Sequence, residues 1–254
     1  MRLDTAPSSG ALTRRDLTMK QSRVKRTLVR LGLVTALAVT AGTATTAVQA
    51  SADTAQASAL ASITLVHGIP DLPVDIYVNG GAPVEDVVFT TVATVPGKKG
   101  LNNVEIRPAN APPRSAPVLA RSFYLRENQS KSVVAHLNES GSPKITVFAN
   151  DQSPLAAGTA RLTVRHTAAA PAVDIVADNS LTLFAGLRNP RQGKADVPAA
   201  TYLVDVRAAG TSTAVLDDAP VDLAAGTNTI VYAIGDLAGG SFTVAAEVLS
   251  VRPF

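Results

Sequence analysis

Cysteine and tryptophan are absent from the 254 residues, methionine occurs only twice, and aromatic residues reach only 4%. Without cysteine the chain has no disulfide, no thiolate nucleophile and no attachment point for a lipoprotein anchor. An exported part must then be held together by its core alone. With no Trp and four Tyr, stacking on sugars is poorly provided, and the core must rest on Val, Leu, Ile and Ala. Other absences narrow the chemistry. There is no G-x-S-x-G elbow and no G-x-x-x-x-G-K-[ST] phosphate loop. No base stands placed beside a Ser or Thr nucleophile, and no carboxylate pair sits among aromatic platforms as glycoside hydrolysis requires. No window of useful length carries a 3.6-residue apolar stripe, which argues against amphipathic helices.

What is present is a folding composition, with 46% hydrophobic and 17% charged residues. The net charge of +3 and the pI near 9.3 are unevenly placed. Residues 1–52 hold eight basic residues (Arg2, Arg14, Arg15, Lys20, Arg23, Lys25, Arg26, Arg30) against Asp4 and Asp16. Taking these from the totals of 23 basic and 20 acidic residues leaves 15 and 18, a net charge of −3 for residues 53–254. A basic chain would point to nucleic acid or an anionic membrane. Here the basicity belongs to the leader, so nucleic acid is not expected as a partner.

The leader has the order of a secretory signal peptide: a basic segment at 20–30 (KQSRVKRTLVR), an apolar Ala/Thr-rich segment at 31–48, and small residues at the A-x-A-like positions of 48–52. Its apolar run of near 18 residues is borderline for spanning a membrane, and its Thr and Gly favour cleavage over anchoring. Met19 stands directly before the basic segment and competes with Met1 as the start. Thr13-Arg14-Arg15-Asp16-Leu17 resembles a twin-arginine export motif, set farther from the apolar run than that pathway usually places it. Residues 1–52 are thus expected to be signal peptide and upstream extension, and residues 53–61 a disordered spacer. The C-terminus carries no LPxTG-like motif and no apolar tail. The mature part is accordingly expected to be secreted, with at most loose association with the cell envelope, and to meet the membrane only through the signal peptide.

The rest of the chain repeats itself. Residues 62–80 (SITLVHGIPDLPVDIYVNG) align without gaps to 161–179 (RLTVRHTAAAPAVDIVADN). This places His67 on His166 and Asp75 on Asp174. Val104-Glu105-Ile106-Arg107 matches Val204-Asp205-Val206-Arg207, and 145–148 matches 242–245. Three blocks in one order describe a duplication of about 95 residues. Period-2 alternation is clear: Leu162, Val164 and His166 share one face, Thr163 and Arg165 the other, as in half-buried antiparallel strands. Further strands are predicted at 85–92, 101–107, 117–126, 131–137 and 143–149, with counterparts at 181–187, 200–207, 213–217, 228–234 and 241–250. Turn clusters such as Asn79-Gly80-Gly81 and Pro96-Gly97 separate them. About seven short strands per copy predict an all-β fold: two tandem immunoglobulin-like antiparallel β-sandwich domains. The first spans 62–152 and the second 161–254. A linker at 153–160 lies about the polar stretch 151–159 (DQSPLAAGT).

The run His67-Gly-Ile-Pro-Asp-Leu-Pro-Val-Asp-Ile-Tyr77 resembles the DUF4397 family, a domain of unknown function in exported bacterial proteins, often in tandem. Its hallmark is a V-x-H strand end, a Pro/Asp/Ala turn and V-D-[IV]-Y. The first copy carries Val66, His67, Pro70, Asp71, Pro73, Val74, Asp75, Ile76 and Tyr77. The second keeps His166, Pro171, Val173, Asp174 and Ile175, and its Val197-Pro198-Ala199-Ala200-Thr201-Tyr202 is similar to the family's L-P-A-G-T-Y. It departs at Val176, where Tyr is usual, and at Arg165, where Val is usual. The first copy has Val95-Pro96-Gly97-Lys98-Lys99-Gly100 in place of the P-A-G-T-Y segment. The resemblance implies the fold and export, and no activity.

The candidate residues are His67, Asp75, His166 and Asp174, expected to be structural. Each His ends a strand with core-face parity, and each Asp opens the next strand. One reading is a polar clasp, in which the imidazole bonds a turn carbonyl or the Asp and fixes the angle between two strands. The other is a metal or ligand site, since His with a carboxylate binds zinc or copper, although one His and one Asp fall short of a full ligand set. The third histidine, His136, lies in another strand and has no counterpart in the second copy. Acidic turns at Asp71/Asp75 and Asp217/Asp218/Asp222 raise calcium against plain solvation, without the dense oxygen alternation of a dedicated loop. The expected function is a secreted, non-enzymatic binding or structural module, monomeric, without cofactor or metal, acting on an unknown extracellular or envelope ligand. The alternative is a secreted metal-dependent or hydrolytic enzyme at the His/Asp turns.

Overall fold

The computed structural model describes residues 61–112 and 114–252. The expected leader, both methionines and the expected spacer up to residue 60 lie outside them. Every regular element among the described residues is a strand. One sheet joins β1 (Ser62–Gly68), β4 (Val92–Pro96), β7 (Ser130–Leu137) and β8 (Pro143–Ala149) in the order β4-β1-β7-β8. A second joins β2 (Val74–Val78), β3 (Val84–Val87), β5 (Gly100–Pro108) and β6 (Leu119–Leu125) in the order β3-β2-β5-β6. The second half repeats this plan. β9 (Thr159–His166), β12 (Gln192–Pro198), β15 (Thr227–Ile234) and β16 (Thr243–Ser250) run β12-β9-β15-β16. β10 (Val173–Ala177), β11 (Leu181–Leu187), β13 (Ala200–Ala208) and β14 (Ala214–Leu223) run β11-β10-β13-β14.

The chain is therefore all-β and built as sandwiches. Each half has eight strands where about seven were predicted. The strands not foreseen are β4 and β12. Both pair on one side only, with β1 and β9, and both end in proline, which an edge strand tolerates. β12 (QGKADVP) alternates exposed and half-buried residues with little apolar signal, so it reads as a loop. The predicted strand at 85–92 resolves into the end of β3 and the start of β4. The strand order also differs from the ABED and CFG division of immunoglobulin sandwiches. In each half the first and seventh strands lie side by side and parallel.

Alternation builds each core. Ile63 and Leu65 of β1, Val74 and Ile76 of β2, Val104 and Ile106 of β5 and Val133 and Ala135 of β7 meet in the first sandwich. Leu162, Val164, Val173, Ile175, Val204 and Val206 do so in the second. Ala61, at the end of the expected spacer, is already buried in the first core. A third apolar cluster joins the halves: Val66, Val134 and Phe148 from the first pack against Ile230, Tyr232, Ile234 and Ala245 from the second. The two inner sheets thus lie face to face, giving four sheet layers. This corrects the half-buried reading of the first strands. β1, β7 and β9 are buried on both faces, so the face carrying Thr163 and Arg165 meets protein and not water. The expected linker is tied down as well. Thr159 already opens β9, Leu155 is buried, and the Asp151 carboxylate pairs with Arg161 at 3.0 Å and Lys194 at 2.7 Å.

Candidate functional site

His67 and His166 end the first strand of each half and point into its sandwich, following the parity of Ile63/Leu65 and Leu162/Val164. Both are fully buried. The Nε2 of His67 lies 2.7 Å from the Leu72 carbonyl oxygen, and that of His166 lies 2.8 Å from the Pro171 carbonyl oxygen. A carbonyl only accepts, so Nε2 carries the proton in both rings. Nδ1 is then a bare acceptor, and in both rings it is buried without a partner. Burial pushes both imidazoles below their ordinary value, opposed in part by the carbonyl bond. Each ring spans five residues to close the turn leading to the next strand.

The aspartates do something else. Val74 and Ile76 face the core, so Asp75 between them lies on the outer face of its sheet, on the other side from His67. Its Oδ1 accepts the backbone N–H of Asp86 at 3.0 Å. Asp174 accepts the N–H of Gly186 at 2.7 Å on Oδ1 and that of Gly210 at 2.8 Å on Oδ2. These two bonds hold its carboxyl below the usual range. Asp86 and Gly186 have positive φ, 53° and 61°. They lie opposite the register shifts between β2 and β3 and between β10 and β11. A bulge leaves a strand N–H without its ladder partner, and the aspartate supplies one. His and Asp therefore recur together because each pins a different irregularity around the same strand, and they do not bond one another.

Sequence reasoning missed a polar cluster between the halves. Arg165 is fully buried. Its Nε donates to Gln192 Oε1 at 3.0 Å and its Nη1 to the Tyr232 hydroxyl at 2.8 Å. Its Nη2 donates to Asn150 Oδ1 at 2.8 Å and to the Ala149 carbonyl at 3.3 Å. Glu247 accepts from the Tyr232 hydroxyl, from Ser132 Oγ at 2.9 Å and from Thr64 Oγ1 at 2.7 Å. Arg165, Tyr232 and Glu247 come from the second half, and Thr64, Ser132 and Asn150 from the first. Burial pulls the Arg165 guanidinium below its usual value, with Tyr232 and Glu247 opposing. Burial pushes the Tyr232 phenol up. The signal in the sequence was the charge of Arg165 at the position where the first copy has Val66.

His136 also lies on the interface side of β7, sharing parity with Val134. It is fully buried and bonded to the Leu137 carbonyl and Thr146 Oγ1, each at 2.8 Å. Burial, with Lys144 nearby, pushes it down to about 4. Among the described residues one carboxylate group gathers closely: Asp205, Asp217 and Asp218, with oxygens within 4.8 Å. Asp205 already accepts from Asp218 N at 2.8 Å and from Arg207 Nη2 at 2.6 Å. Asp217, Asp218 and Asp222, expected in a turn, all lie in β14, and Asp222 instead accepts from Thr201. A cleft of about 1030 Å³ opens where the halves meet, beside the turn that His166 closes.

Residues 61–176 match the family described as "Domain of unknown function (DUF4397)". This part of the chain belongs to the DUF4397 family. The DUF4397 match runs from β1 through the first sandwich and ends inside β10, so it includes both His/Asp turns. No curated protein matches the chain. Among solved structures, the Bacillus anthracis TIE protein is similar at 13% identity over 69% of this chain and 33% of that one, with a TM-score of 0.22. The chain spans about a third of that protein's length.

Proposed function

We propose that this is an exported, non-enzymatic module whose paired sandwiches bind or space components outside the cytoplasm, free or loosely held at the cell envelope. Export rests on the signal-peptide order of residues 20–52. The observation that carries the non-enzymatic reading is the use made of the recurring polar residues. Both histidines are fully buried with Nε2 committed to a turn carbonyl, and both aspartates are committed to backbone N–H groups. Groups engaged in this way hold a scaffold and leave its loop ends to make contacts.

Retention of purified residues 53–254 on envelope fractions tests binding, and failure to bind every fraction counts against it. Metal analysis with melting in and without EDTA tests the enzymatic alternative. Stoichiometric metal, or a large shift on chelation, overturns the non-enzymatic reading.

A further inference from the structure

The cleft beside the turn that His166 closes is built by both halves. The β7–β8 loop of the first half contributes Glu139. The second half contributes Arg188, Asp236 and residues 169–172 of the turn. Its volume of about 1030 Å³ is at the upper end of small-ligand sites, which favour domain junctions.

The repeat alignment explains why space opens here. At an offset of 99, Ile69-Pro70-Asp71-Leu72-Pro73 of the first copy becomes Ala168-Ala169-Ala170-Pro171-Ala172 of the second. Every bulky or charged side chain of the turn is reduced to alanine except for one proline. His166 holds this wall in place through the Pro171 carbonyl. The cleft also carries unspent charge of both signs. Among the described residues, the Arg188 guanidinium and the Glu139 carboxylate have neither an ion-pair partner within 4.0 Å nor a side-chain hydrogen bond. The six ion pairs found all involve other residues. Asp236 adds a second carboxylate, engaged only by Ala238 N at 3.0 Å.

A guanidinium and two carboxylates around alanine walls complement a ligand that carries its own carboxylate and ammonium and has small side chains. We propose that this cleft binds short peptides with free termini, the C-terminal carboxylate on Arg188 and the N-terminal ammonium on Glu139 and Asp236. The proposal rests on the binding-module reading and names its ligand class. Arg188 is suited to the carboxylate because its planar fork donates two parallel N–H bonds. The charged groups are open to solvent, so the contact weakens as salt rises.

The test is calorimetric titration of the purified protein with trialanine, its N-acetylated form and its C-terminal amide, at low and high salt. Trialanine is expected to bind. Arg188→Ala, the C-terminal amide and the N-acetyl form should each weaken binding at least about tenfold, and Glu139→Gln less so, since Asp236 remains for the ammonium. Ala238→Trp, at an exposed cleft position, should block binding without touching a charge. Equal binding of capped and free peptides overturns the proposal, as does no binding at millimolar peptide. If peptides fail while envelope fractions still retain the protein, this inference falls and the binding-module reading stands.

Discussion

The guanidinium carbon of Arg165, in the second half, lies 4.6 Å from the centre of the Phe148 ring, in the first half. The contact is a cation–π pair formed away from water, and its partner positions are informative. By strand register the residue matching Arg165 in the first copy is Val66 and the residue matching Phe148 in the second is Glu247, which moves the counterpart of 145–148 from the 242–245 read in the sequence to 244–247. The copies have diverged where they face each other. The charge of Arg165 is balanced by Glu247 through the Tyr232 hydroxyl, and Thr64 and Ser132 complete the carboxylate's bonds.

Arg165→Ala removes four hydrogen bonds and leaves Glu247 without its counter-charge. Taking the donor from buried hydrogen-bond partners such as Asn150 and Tyr232 typically costs about 1–3 kcal/mol each, and a loss of about 3 kcal/mol or more is expected in denaturant unfolding. Combining it with Glu247→Gln should give a smaller loss than the two single losses added. Additive losses would mean that the two residues act independently.

The histidines predict a pH dependence. His67, His136 and His166 are all pushed below 6.5 in the folded protein. Below 6.5 the unfolded chain binds protons that the fold refuses, so their contribution is whole above about 6.5 and is lost as pH falls through the folded values. For His136, down to about 4, the loss is on the order of 3 kcal/mol. The melting temperature should fall between pH 7 and pH 4. His136→Gln should flatten that fall, and an unchanged profile would show that His136 is not the titrating group.

His166→Ala leaves the Pro171 carbonyl without its donor and opens a void, with an expected cost of about 1–3 kcal/mol. A change within about 0.5 kcal/mol in chemical denaturation would place the ring outside the packed interior.

Asp174 holds two backbone N–H groups and Asp75 one. Asp174→Ala should therefore cost about 1 kcal/mol more than Asp75→Ala. Hydrogen exchange should show the Gly186 and Gly210 amides losing protection in the first variant and Asp86 alone in the second. Equal costs would remove the bulge-pinning role.

Much of this fold was legible. The duplication, the buried face of β1 and β9, and the turn-closing role of His67 and His166 follow from spacing and parity. The edge strands β4 and β12 were not legible. They pack on one side only and end in Pro96 and Pro198, which read as turns. The pairing of His with Asp in sequence suggested contact, but adjacent strand positions can lie on opposite faces of a sheet, as Asp75 does relative to His67. Nor does period-2 alternation say what the second face meets. Thr163 and Arg165 looked solvated because polar side chains usually are. Only the second sheet stacked on them shows that Arg165, Tyr232 and Glu247 form a closed internal set.

The central claim is that the two halves form one cooperative body across their inner sheets. Calorimetric unfolding of residues 53–254 tests it most directly. The account predicts a single transition with equal calorimetric and van't Hoff enthalpies, shifted as a whole to lower temperature by Arg165→Ala. Two separable transitions, or a single-half transition unmoved by Arg165→Ala, would contradict it.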